Sequence, residues 1–413
     1  MMCRIAIATA WLVCFAAPLT KPATAQSHYD PGANDTEIRI GNVRGSTPHI
    51  IIDAEAAYFR MINDGGGING RKITFISEES GPDAGEAIAH ARHLVDDEDV
   101  LALFSTAGFD QSLAIRTYAN ENKIPQVFVL VPSTAFADPS HFPWTMGMLP
   151  TNEANLSAFA RYVKAHRPNP KIAVLHEATA RGSRYAAAFR EGLGKAAATM
   201  IVKEATIKPD DGLDAVSIES LKESGADVLV NLTWGGLTRM VVQKTYDLGW
   251  RPLQFLPLGT IGSGLWRNAE ERKNTAGLII SVGLGYRAFG PMASTFSNDP
   301  ETVSPYRNNV SEYHDWMAKY NPKGDLNNGD YVTAFNFAEA LVIVLKQCGD
   351  NLTRANVMAK AANLDAQLAM LQLAADGSTR LRTSPTDYQP MKKFWLIEST
   401  PTGWFNIKDF ASE

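Results

Sequence analysis

Cysteine is scarce in this chain. Its 413 residues hold three, Cys3, Cys14 and Cys348. The first two fall in an N-terminal segment that reads as removable, which leaves Cys348 alone and excludes an internal disulfide. A chain of this length has enough apolar surface to do without such staples. Basic excess is missing too. Lys and Arg number 39 against 44 Asp and Glu, a net charge of -5. That balance offers no basic face for nucleic acid. After residue 25, no stretch approaches the ~18 uninterrupted apolar residues of a membrane-spanning helix.

Catalytic signatures are absent as well. There is no G-x-S-x-G elbow for a hydrolase nucleophile. His90 and His93 are three apart on one expected helix, but no Cys or carboxylate pattern of the zinc type accompanies them. Asp96 to Asp99 read as a solvated turn. The run Gly65-Gly66-Gly67-Ile68-Asn69-Gly70 has the wrong polarity for a phosphate cradle. It follows a helix and precedes a strand, so it reads as a helix end and turn. No metal, cofactor or catalytic residue is expected.

What is present begins with residues 1–25. Arg4 precedes the apolar run Ile5–Ala17, Pro18 breaks it, and Ala23-Thr24-Ala25 supplies small residues for cleavage. This is the pattern of an export signal. The run is too short to span about 30 Å of hydrocarbon. The mature chain is expected to start near Gln26, outside the cytoplasmic membrane.

From Glu37 the sequence alternates. Strands are expected at 37–43, 71–77, 101–105 and 126–131, with helices at 53–63, 86–96 and 111–122 between them. The alternation restarts after Pro150, with helices at 152–166, 183–196, 213–224 and 237–248. Its strands fall at 171–175, 200–206, 227–232 and 254–258. Strands alternating with helices of this length imply right-handed βαβ units and parallel sheets. A less regular third part holds a strand at 277–282, helices at 310–320 and 331–347, and β structure within 376–410. The fold class is α/β, with two doubly wound units. Such units bind ligands outside the carboxyl ends of their strands.

The loops after the strands are rich in hydroxyl, glycine and aromatic residues. They supply the candidate ligand-binding residues Arg44, Ser105, Thr106, Gly108, Phe109, Ser133, Thr134, Arg181 and Trp234. Hydroxyls and free backbone N–H groups suit a carboxylate. Arg181 would hold it bidentately. Phe109 and Trp234 would sandwich an apolar or aromatic body. Taken singly, each has an ordinary explanation, since Ser and Thr cap helices and Trp packs in cores.

The sequence resembles the branched-chain amino acid type of ABC transporter substrate-binding protein, the type I periplasmic binding fold. The resemblance covers nearly the whole mature chain. It rests on Ile38-Arg39-Ile40-Gly41, on Ala54-Glu55-Ala56-Ala57-Tyr58-Phe59 and above all on Ile62 to Ile73. Phe142 to Gly147, Ser224 to Val228, Leu248-Gly249-Trp250 and Thr383 to Tyr388 extend it. The resemblance implies two lobes joined by three crossovers and closing on a small molecule. Lobe 1 would be 37–148 with 277–375, and lobe 2 would be 149–276 with 376–413. The implied partners are a membrane permease pair and, through it, cytoplasmic ATPases. The chain is expected to work as a periplasmic monomer.

The resemblance also exposes departures. Ser105 to Phe109 and Ser133-Thr134 match the loops that hold a ligand carboxylate in this family. In lobe 2, Arg181 stands where the family often has an aromatic residue before a glycine. The region Leu256-Pro257-Leu258-Gly259-Thr260 lacks the family's acid for the ligand ammonium. The loop after the first strand, Arg44 to His49, is several residues short. An unpaired buried ammonium costs several kcal/mol. The expected ligand is therefore an aromatic or other organic acid rather than a free amino acid. The alternatives are a branched-chain amino acid binder, a sensory protein presenting its ligand to a receptor, and an exported enzyme.

Overall fold

The structure is a computed structural model. It describes residues 28–45, 49–209, 211–213, 218–260, 275, 277–283, 307–324, 328–368, 380–400 and 403–406. The expected export segment 1–25 and the turns at Asp376-Gly377 and Pro401-Thr402 lie outside these residues. So do Ser46 to Pro48, the polar stretch 291–300, and part of the helix expected at 213–224.

Two sheets organise the chain. The first has five parallel strands in the order Lys72–Glu79, Glu37–Arg44, Ala102–Phe104, Gln126–Val129, Thr145–Gly147. Helix His49–Asp64 and helices Arg307–Tyr320 and Gly329–Cys348 cover one face. Helices Ala84–Arg92 and Phe109–Asn122 cover the other. Burial on both faces explains why Ala102–Phe104 and Gln126–Val129 have no exposed position. Gly329–Cys348 is apolar and long enough to cross a membrane by composition. Here its Val332, Phe337, Leu341 and Leu345 sit in the core.

The second sheet has seven strands. Their order is Gly403–Asn406, Phe394–Thr400, Leu278–Gly283, Leu253–Leu256, Val228–Leu232, Ile172–Glu177, Ile201–Ile207. The five from Leu278–Gly283 onward are parallel, and the first two join antiparallel. Helices Asn152–His166 and Ala180–Leu193 pack on one face and Ile218–Glu223 and Gly236–Asp247 on the other. The result is a two-lobed α/β fold.

Two of the expected boundaries move. The strand placed in lobe 1 at 277–282 belongs to the second sheet, paired parallel with Leu253–Leu256. Its Ile279 is buried in the second core, so the chain crosses after this strand and not before it. Conversely Leu381, Tyr388 and Met391, placed in lobe 2, are buried in the first core. Leu381 pairs with Ala366 there, so the last crossing comes just before Phe394. The chain thus passes between lobes at 148–151, between Gly283 and Arg307, and near Met391, whose N–H donates to Met148 O at 3.2 Å. Other elements expected between 37 and 258 are found with ends shifted by a few residues.

The glycine-rich turn ends helix His49–Asp64. Gly67 N–H reaches back to Ile62 O at 2.9 Å, and Ile68 and Arg71 then bond each other across a tight turn. Gly67 has φ +76, and a Cβ there would lie 2.1 Å from Arg71 O. Both constraints exclude a side chain. Gly67→Ala is expected to cost about 1–3 kcal/mol, measurable as a lower melting temperature in thermal denaturation.

Candidate functional site

The carboxyl edge of the second sheet is built around Glu177. This residue ends strand Ile172–Glu177 and is nearly fully buried. Its Oε2 accepts from Arg181 Nη2 at 2.6 Å and its Oε1 accepts from Trp234 N–H at 2.9 Å. Thr179 caps the following helix, its hydroxyl accepting from Gly182 N–H at 3.1 Å. Gly182 is required by proximity, because a Cβ there would meet Glu177 O at 2.1 Å. The helix therefore starts hard against the strand, which places Arg181 over the Trp234 ring, 4.2 Å from its centroid. Arg181 Nε is buried and has no partner among the described residues.

Aromatic contacts run from this point into the first lobe. Trp234 lies 5.4 Å from Tyr185, and Tyr185 lies 6.3 Å edge-on to Phe109. Phe109 in turn meets Phe136 at 6.1 Å. Tyr185 donates to Pro132 O at 2.9 Å. Burial raises its hydroxyl pKa, so it stays a donor. Arg181, Trp234 and Phe109 are thus brought together, with Tyr185 as the link.

The other candidates apart from Ser105 are engaged elsewhere. Ser133 and Thr134 hydroxyls donate to Glu153 Oε1 at 2.7 and 2.9 Å, and Thr134 N–H donates to Oε2 at 3.2 Å. Arg184 bonds both Glu153, at 2.6 Å, and the Thr134 hydroxyl, at 2.6 Å. A carboxylate from the second lobe therefore occupies the hydroxyl pair expected to hold a ligand carboxylate. Thr106 is fully buried, its hydroxyl accepting from Gln126 at 2.9 Å and from Ser112 at 3.3 Å. Gly108, with φ +89, opens helix Phe109–Asn122 against Gln111. Arg44 pairs with Glu79 at 2.5 Å, and its buried Nη1 has no partner among the described residues.

Sequence reasoning missed Glu177, Tyr185, Glu153 and Arg184. Glu177 was hidden because its strand was read as ending at Leu175. It makes Arg181 half of an ion pair rather than a lone cation. His90 and His93 both bond Glu78, the second at 2.7 Å. Among the described residues no cluster of three or more His, Cys, Asp or Glu could hold a metal. Burial pushes the Cys348 thiol up to about 12, away from nucleophilic use.

One further group stands out in the first lobe. Glu55, on helix His49–Asp64, is fully buried, and neither carboxyl oxygen has a partner among the described residues. Burial holds its pKa well above the usual carboxylate range, and the nearby Ser105 hydroxyl offsets this only in part.

Residues 51–403 match a family described as periplasmic binding protein. The chain belongs to that family. Members of this class bind solutes outside the cytoplasm. Solved structures share the fold. A substrate-binding periplasmic protein from Ralstonia solanacearum has a TM-score of 0.72 at 15% identity, covering 90% of this chain and 100% of that one. A fatty acid ABC transporter substrate-binding protein from Thermomonospora curvata gives 0.71 at 17%, covering 92% and 94%. A possible leucine/isoleucine/valine-binding protein from Rhodopirellula baltica SH 1 gives 0.70 at 14%, covering 90% and 96%. No curated protein matches the sequence.

Two outcomes follow for this periplasmic binding protein. Glu153→Ala removes the acceptor that joins Ser133, Thr134 and Arg184, weakening the contact between lobes by about 1.5–3 kcal/mol. Small-angle scattering of the ligand-free variant is expected to show a larger radius of gyration than the wild type. Glu55→Gln tests the buried acid. At about pH 3.5 Glu55 is protonated in folded and unfolded chains alike. As pH rises through the normal carboxylate range only the unfolded chain releases the proton, so wild-type stability falls until the raised folded pKa is passed. Glu55→Gln is expected to match the wild type at the acidic end and to melt several degrees higher near neutrality.

Proposed function

We propose that this protein is the exported, monomeric solute-binding component of an ABC transporter, and that its cargo is a small organic acid with an aromatic or other apolar body. The observation that carries this reading is Arg181. Its guanidinium lies over the Trp234 ring, is held by Glu177 on one edge, and keeps a buried Nε that has no partner among the described residues. An orphaned buried donor is costly, and a ligand acceptor relieves that cost. The row Trp234, Tyr185 and Phe109 beside it supports an apolar or ring-bearing ligand body. Glu177 already has two partners, and Leu256 to Thr260 offers no acid, which argues against a free ammonium as the main anchor.

Because Glu153 fills the Ser133-Thr134 pair, the acid anchor in this reading lies in the second lobe and not in the first. A thermal-shift screen of aromatic acids, aliphatic acids and amino acids tests the assignment. Acids are expected to raise the melting temperature, and Arg181→Ala to weaken their binding more than about tenfold. Tight binding of leucine with no response to any acid sinks the proposal. Unchanged acid affinity in Arg181→Ala takes Arg181 out of the site.

A further inference from the structure

Two fully buried polar side chains of the first lobe, Glu55 and Ser105, stand beside each other with no other side-chain partner among the described residues. Neither Glu55 carboxyl oxygen nor the Ser105 hydroxyl has a hydrogen-bond partner among the described residues. The Ser105 hydroxyl is close enough to act on the Glu55 carboxyl. Each unsatisfied group costs about 1–3 kcal/mol, and leucine in place of Glu55 would carry no such penalty. Ser105 adds strain of its own, with φ +53 in the left-handed region that serine rarely adopts.

Position gives these features a use. Strand Ala102–Phe104 stops early. Its Leu103 pairs with Gly41, while the neighbouring strand continues to Arg44. Ser105 sits on the truncated end, at the edge where parallel sheets receive ligands. Four residues further along the same loop, Phe109 enters the aromatic row that leads to Trp234 and Arg181.

We propose that Glu55 and Ser105 form an uncharged polar subsite that receives a hydroxyl group of the ligand. The inference rests on the organic-acid reading above and narrows it to hydroxylated acids. A neutral carboxyl offers one donor and acceptor lone pairs, and serine offers the same. A ligand hydroxyl satisfies one as acceptor and the other as donor. A second carboxylate fits poorly beside the fully buried Glu55 carboxyl, because an uncompensated buried anion is costly.

The test uses the full mature protein and matched probes: benzoate against 3- and 4-hydroxybenzoate, phenylacetate against 3- and 4-hydroxyphenylacetate, and 4-(aminomethyl)benzoate. Affinities are read by calorimetry for the wild type, E55Q, E55L and S105G. The wild type is expected to bind at least one hydroxylated probe about tenfold or more tighter than its parent. E55Q keeps most of that preference. E55L loses it, binds the parent acid within about threefold of the wild type, and melts higher without probe. S105G loses it too, while glycine relieves the left-handed strain and keeps a readout available should E55L fail to fold. A preference that survives in E55L or S105G overturns the proposal. So does equal wild-type binding of parents and hydroxylated probes, or a preference for the aminomethyl probe. Those results leave the organic-acid reading standing, whereas no binding of any acid overturns both.

Discussion

The second lobe's ligand edge hangs on the Glu177 carboxylate. It fastens the end of strand Ile172–Glu177 to the backbone after the neighbouring strand Val228–Leu232 and to the first turn of helix Ala180–Leu193. Both its oxygens are used, so its burial is tolerated. The close approach of Gly182 is the steric counterpart of this bond. Without the carboxylate, Arg181 would have no reason to lie flat on Trp234, and the aromatic row would lose its charged end. Recognition of an anion here depends on an internal anion that orients the arginine without using all of its donors.

A second constraint acts between lobes. The Pro132 to Thr134 segment of the first lobe receives Tyr185, Arg184 and Glu153 from the second. These bonds lie one step from the crossing at 148–151, and Asn152 reinforces them by bonding Pro132 O through its N–H and Leu258 through its side chain. Hydroxyls that look free in sequence are thereby used to dock one lobe on the other. Glu55, Ser105 and Arg181 Nε, which have no hydrogen-bond partner among the described residues, take no part in these bonds.

Much of the fold was legible because apolar runs, helical spacing and turn residues agree along 37–258. The glycine-rich turn was legible because its polarity, helix before strand, is set by local order. Lobe membership after Ala276 was not, since a short apolar strand such as Leu278–Gly283 fits either sheet equally well and only pairing decides. In the site, Arg181, Trp234 and Phe109 announced themselves as unusual residues at strand ends. The bonds of Ser133 and Thr134 to Glu153 were not legible, because a hydroxyl's partner is set by tertiary contact. Glu153, 20 residues after Ser133, carries no local sign of the pairing. Glu55 was invisible for a simpler reason: in sequence, a glutamate on an amphipathic helix looks solvated.

The interleaved chain path has a consequence for assembly. The first core needs helices Arg307–Tyr320 and Gly329–Cys348 together with Leu381 and Met391. The second sheet needs Phe394–Thr400. Neither lobe can close until almost the whole chain is available, so closure depends on contacts between residues hundreds of positions apart, a topology that folds slowly. Until the end arrives, strand Leu278–Gly283 is left as an open sheet edge and the second core lacks Phe394 and Leu396. The same threading that lets one hinge region serve two lobes makes a chain shortened by its last twenty residues a candidate for aggregation rather than for a smaller working protein.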